Sequence, residues 1–247
     1  MDVHHHVKSH PKKPWREYIY EFFMLFLAVS AGFYAENLRE KSVEREKEHQ
    51  YMQSMVADLQ QDLEVMNTAM SDLKSFKMGL DSLARACNVK GMNDSSIRAL
   101  YDLNLRYLRL IPITFSDRTS SQLKNSGSLR LIRNKAVSDS LLNYWQGIDY
   151  FNYVSPLNEN FRRKARELSF KIFDYGAYNS DLGFARNNLR TQKPTLLTND
   201  KALLSEYTNF VWGYRATQAI YYYPPIERLH EQAKNLLALI KSKYDLN

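Results

Sequence analysis

Few side chains in this sequence are of the types that do chemistry, and their spacing assembles none of the familiar sites. Of six histidines, His4, His5, His6 and His10 crowd the N-terminus, and only His49 and His230 lie elsewhere. Imidazoles at that density can take up a metal, but a built site needs Cys or carboxylate partners at ligand spacing. None accompanies them, so a polar tail with no metal is expected. Cys87 is the lone cysteine. It cannot form a disulfide within the chain, and in an oxidising compartment it either stays buried or pairs between chains. Asp58 and Asp62 stand one helical turn apart, a spacing compatible with acid–base work. On an amphipathic helix such a pair is expected to be solvated. The sequence holds no glycine-rich phosphate loop, no HExxH helix and no GxSxG elbow. No catalysis is expected, and no cofactor is implied.

One further carboxylate stands out for its surroundings. Glu21 interrupts the apolar run Tyr18–Ala35. At 1.5 Å per residue, Trp15 to Tyr34 spans ~28 Å, close to the hydrocarbon thickness of a bilayer. Trp15, Tyr18 and Tyr20 sit at one end and Phe33 and Tyr34 at the other, where amphipathic rings favour headgroups. A cleavable signal segment, with Val29-Ser30-Ala31 as its small-residue site, is one alternative; a buried core helix is another. The length and flanks favour a retained transmembrane helix over residues 15–36. Lys8, Lys12, Lys13 and Arg16 precede it, so the N-terminus is expected in the cytoplasm.

Beyond the run, apolar residues recur at alternating spacings of four and three: Met52, Val56, Leu59, Leu63, Met66, Met70 and Leu73, then Leu80, Ala84 and Cys87. This is a heptad seam. Met55, Phe76 and Leu83 widen it, and Lys77 and Gly79 weaken it. The same register extends back through the apolar run to Ala35, Ala31, Ala28, Met24 and Glu21, with Gly32 adding a small-xxx-small pair with Ala28. Small residues let helix backbones approach closely in lipid, and an intramembrane carboxylate usually turns toward protein or water. Glu21, Met24, Ala28, Ala31, Gly32 and Ala35 are therefore the candidate transmembrane association face. The seam is expected either to pair between chains or to pack within its own chain, especially against residues 226–244. Glu21 either belongs to the association face or snorkels to the interface.

The remainder reads as shorter helices. Asp94 or Ser95 can cap one that Pro112 ends. Ser116 can cap the next, and Asn125-Ser126-Gly127-Ser128 breaks it. An aromatic-rich helix over Val137–Tyr153 is separated by Pro156 from a basic one near Glu159–Tyr175. Residues 176–198 read as a loop. Asp200 starts a helix to about Tyr223, Pro224-Pro225 interrupts, and Ile226–Tyr244 closes the chain with one apolar face. No stretch alternates with period two. Glycine (8) and proline (7) are scarce among 247 residues, which suits long helices. The expected fold is all-α: a polar tail (1–14), a transmembrane helix (15–36), a long amphipathic helix (37–87) and a helical bundle ectodomain (88–247). The aromatic content, with 17 Tyr, 12 Phe and 3 Trp, is expected mainly to pack the bundle, with a recognition surface as the alternative.

The net charge of +7 divides into +1 for residues 1–35 and +6 for the rest. A basic ectodomain can meet anionic headgroups or acidic envelope polymers. Nucleic acid is not an expected partner, because the charge would lie outside the cytoplasm.

Several blocks are similar to a known family. They are Met1-Asp2-Val3-His4-His5-His6, Glu17-Tyr18, Glu21-Phe22-Phe23-Met24-Leu25-Phe26-Leu27-Ala28-Val29, Gly32-Phe33-Tyr34-Ala35-Glu36-Asn37 with Arg39-Glu40, and Tyr51-Met52-Gln53-Ser54. A further block is Gln122-Leu123-Lys124-Asn125-Ser126-Gly127-Ser128-Leu129-Arg130-Leu131-Ile132. Together they resemble an uncharacterised family of single-pass, coiled-coil-containing membrane proteins of Gram-negative bacteria. The resemblance implies an inner-membrane anchor with a helical periplasmic part. It implies no activity and transfers no site residues. The expected function is structural: a membrane-anchored chain that self-associates or docks an envelope partner through helical surfaces. A periplasmic sensor or ligand-binding module acting through a membrane partner is the alternative.

Overall fold

The computed structural model describes residues 14–87, 91–178, 189 and 193–246. The histidine tail, the start of the turn expected at Asn88–Asn93 and much of the 176–198 loop lie outside them. Among the described residues the chain is helical, with only isolated bridges, Phe173 to Leu196 and Tyr178 to Leu189. The described residues form six α-helices: α1 (Trp15–Ala86), α2 (Asp94–Tyr107), α3 (Arg118–Asn125), α4 (Lys135–Ile172), α5 (Lys201–Thr217) and α6 (Tyr223–Tyr244). A π turn, Gln218–Tyr222, joins α5 to α6.

The chain divides into two compact units at Gln50/Tyr51. In the first, α1 has no proline and every residue from Pro14 to Val43 is exposed. An 18-residue window of this helix has a mean hydropathy of 1.5 and none of it is buried, so the helix is long and apolar enough to cross a membrane. Just past the apolar run, Arg39 grips Glu36 with two hydrogen bonds, Nε to Oε2 at 3.0 Å and Nη2 to Oε1 at 2.7 Å.

The second unit holds two apolar clusters. In one, Met52, Leu59, Met66, Leu73 and Phe76 of α1 meet Val137, Leu141 and Tyr144 of α4 and Ile226, Leu229, Ala233, Leu236 and Ile240 of α6. In the other, Leu80, Leu83, Ala84 and Cys87 meet Tyr101 of α2, Ala165, Leu168 and Ile172 of α4 and Tyr207, Val211 and Tyr214 of α5. Each large aliphatic or aromatic side chain buried this way contributes about 1.5–3 kcal/mol. Residues 52–87 therefore share buried clusters with the later helices, within the compact unit that begins at Tyr51.

Local signals explain the helix ends, with shifts from expectation. Asn93, not Asp94 or Ser95, caps α2, its Oδ1 accepting from Ser96 N at 2.9 Å. α2 ends at Tyr107, before Pro112. Asn134 caps α4 and Asp200 caps α5. Gly127 ends the α3 region at φ 67°, a left-handed conformation that glycine adopts without steric cost. The separation expected at Pro156 does not occur, since α4 runs through it. Pro156 is exposed, while Phe151, Val154, Asn158 and Ala165 are buried on either side. Their burial holds the helix across a missing N–H. Pro224 and Pro225 likewise do not interrupt but begin α6, where an absent N–H costs nothing.

Candidate functional site

The sequence points to two sets of residues, and the structure treats them in opposite ways. The seam is used up inside the chain. Met52, Leu59, Met66, Leu80 and Ala84 are fully buried, and Val56, Leu73 and Cys87 nearly so; Leu63 and Met70 are partly buried against the same core. Of the two expectations for residues 52–87, packing within the chain against 226–244 is the one observed. Only Leu63 and Met70 of the seam keep partial exposure. The broad stripe made by Met55, Phe76 and Leu83 is the reason, because a stripe that wide needs cover on more than one side.

The second set lies at the surface. Glu21, Met24, Ala28, Ala31, Gly32 and Ala35 are all exposed. A Cβ built on Gly32 would meet nothing within 4 Å.

Asp58 and Asp62 are the largest departure from expectation. They are not solvated: 4% and 1% of their surface is exposed. Asp62 Oδ1 accepts from Ser116 N at 2.7 Å, and Oδ2 accepts from Tyr144 OH at 2.7 Å. Asp58 Oδ1 accepts from Arg118 Nη2 at 2.7 Å, and Oδ2 from Thr119 N at 3.1 Å. The two carboxylates thus satisfy backbone donors at the start of α3, where the helix dipole favours negative charge. Asp117, at the cap position, makes no side-chain cap bond of its own. Burial raises the Asp62 carboxyl above its ordinary value, against the lowering effect of these hydrogen bonds and assisted weakly by the Asp58 charge. Burial, and then the Asp62 charge, push the Tyr144 hydroxyl up. Both oxygens of each carboxylate are occupied. Neither residue lines the neighbouring cleft of about 520 Å³, which Ser116, Asp117, Ser120, Lys124 and Trp145 help to form. The pair fastens the loop before α3 to α1.

A second buried polar group sits among tyrosines. Asn104 Nδ2 donates to Tyr175 OH (3.2 Å) and Tyr178 OH (3.3 Å), and Tyr207 OH donates to Asn104 Oδ1 at 2.9 Å. Tyr178 OH in turn donates to Tyr101 O at 2.9 Å. Desolvation pushes the Tyr178 and Tyr207 hydroxyls up. Much of the aromatic content is therefore packing, while Tyr150 and Tyr153 stand exposed at 50% and 80%. Burial pushes the Cys87 thiol up to about 11, so it is a poor nucleophile. Among the described residues no three His, Cys, Asp or Glu side chains are grouped to hold a metal ion.

No protein-family model, curated protein or solved structure matches this chain.

Proposed function

We propose that this chain is a single-pass inner-membrane protein that works by association rather than catalysis. Residues 15–36 span the bilayer with the N-terminus in the cytoplasm, and residues 51–247 form a helical domain in the periplasm. Its partners are the lipid bilayer and either a second copy of the chain or another envelope protein. The observation that carries this reading is the contrast within α1. Most of the heptad seam is buried in the chain's own core, whereas Met24, Ala28, Ala31, Gly32 and Ala35 are exposed on an apolar helix. A helix this apolar needs lipid or another helix around it, and its small residues suit close helix–helix approach.

Single-cysteine crosslinking in native membranes tests the reading. In a chain carrying Cys87→Ala, cysteines at Ala28 or Ala31 are expected to give disulfide-linked dimers or adducts with one partner. Absence of any adduct at both positions contradicts it. A ligand-binding role for residues 51–247 is favoured by a groove that Leu73, Lys77 and Arg215 help to line.

A further inference from the structure

The seam breaks at Lys77, between Leu73 and Leu80, and the reason is spatial. Leu73 and Leu80 are buried, but Lys77 is exposed on a groove of about 340 Å³. This volume falls within the usual range of small-molecule sites, roughly 300–1,000 Å³. α1 forms one side of the groove and the end of α5 with the π turn forms the other. Leu73, Ala219 and Tyr223 supply apolar surface. Lys74, Lys77 and Arg215 supply three cations.

Two of those cations are uncommitted. Among the described residues neither Lys74 nor Lys77 has an ion-pair partner, and both are exposed. Arg215 is held in place by Asp81, whose Oδ1 accepts from Nε at 2.8 Å. That contact uses one donor of the guanidinium fork and leaves the rest for a ligand. The π turn is a second, independent feature. Such turns cost regular helical bonding and recur at functional sites. Here Gln218 and Tyr222 are buried while Ala219 and Ile220 face outward. Clustered cations beside apolar surface complement one kind of molecule, an anionic head attached to a hydrocarbon chain.

We propose that this groove binds a single-chain anionic amphiphile, its head held by Lys74, Lys77 and Arg215 and its chain laid against Leu73, Ala219 and Tyr223. The site shares no residue with the transmembrane association face, so it stands or falls separately from the crosslinking result.

Calorimetric titration of hexyl phosphate into the full chain in neutral detergent tests the site, with empty micelles as the blank. Saturable binding of one molecule per chain is expected. Lys74→Ala and Lys77→Ala should each weaken it about tenfold, the loss of one charge-assisted contact. Ala219→Trp, an outward-facing substitution that fills the groove, should abolish binding while circular dichroism stays unchanged. Inorganic phosphate and hexanol should bind far more weakly, since each offers half of the chemistry. A second titration separates the sources. If the ligand is a membrane lipid, the chain binds hexyl phosphate only after delipidation; if it is a free amphiphile, binding is the same before and after. The proposal is overturned if, after delipidation, the heat does not exceed that of empty micelles, if inorganic phosphate then binds as tightly as hexyl phosphate, or if a chain carrying both Lys74→Ala and Lys77→Ala binds like the natural chain.

Discussion

At the scale of single residues, Asp62 shows how much a buried carboxylate can organise. It holds Ser116 N and Tyr144 OH at once. Asp62→Ala strands both donors in the interior and should destabilise the domain by about 3 kcal/mol; Asp62→Asn, which keeps an acceptor, should cost less. Chemical denaturation followed by tyrosine near-UV dichroism measures both. The pH dependence has a definite sign. Burial raises the folded carboxyl above its ordinary 3.8, so the folded chain keeps this proton to higher pH than the unfolded chain does. Stability carried by the protonated group is present below 3.8 and is lost as pH rises through the raised folded value. Asp62→Asn removes that loss, so its deficit relative to the natural chain should shrink as pH rises above the ordinary carboxyl value. An unchanged deficit would show that Asp62 does not titrate differently in the two states. Cys87 gives a simpler check. Its buried, raised thiol should resist maleimide in the folded chain and react fully on unfolding. None of this was legible from the Asp58/Asp62 spacing, because the partners Ser116 and Tyr144 lie 54 and 82 residues away. A carboxylate on a helix reads as solvated until the fold brings donors to it.

At the scale of elements, the legible features were those with a local period or a local cap. The seam, the apolar face of α6 and the break at Gly127 are written in neighbouring residues. The course of α4 is not. Pro156 signals a stop, yet buried residues on both sides carry the helix through it. Restoring the N–H with Pro156→Ala should therefore stabilise α4 by about 1–3 kcal/mol, seen as a higher unfolding midpoint. A lowered midpoint would mean that a bend at Pro156 is needed for packing. Gly213 on α5 lies directly against the Phe161 ring of α4, with no room for a Cβ. Gly213→Ala should cost about 1–3 kcal/mol through overpacking, despite alanine's better helix propensity. Thermal unfolding in detergent distinguishes these opposing expectations.

At the scale of the whole molecule, α1 serves two different environments. From Tyr51 it is a core helix of the domain; from Tyr18 to Ala35 it is exposed and, Glu21 apart, apolar. The sequence shows one continuous register across both, but it cannot say which part meets another chain, because burial depends on helices far along the chain. The account's central claim is that association runs through the membrane face and not through the seam. Disulfide crosslinking in native membranes tests it most directly, with single cysteines placed around the apolar helix in a chain carrying Cys87→Ala. Cysteines at Ala28 and Ala31 should crosslink, while those at Phe26 and Phe33, about half a turn away, should not. Equal crosslinking at all four positions, or none at Ala28 and Ala31, would contradict the claim.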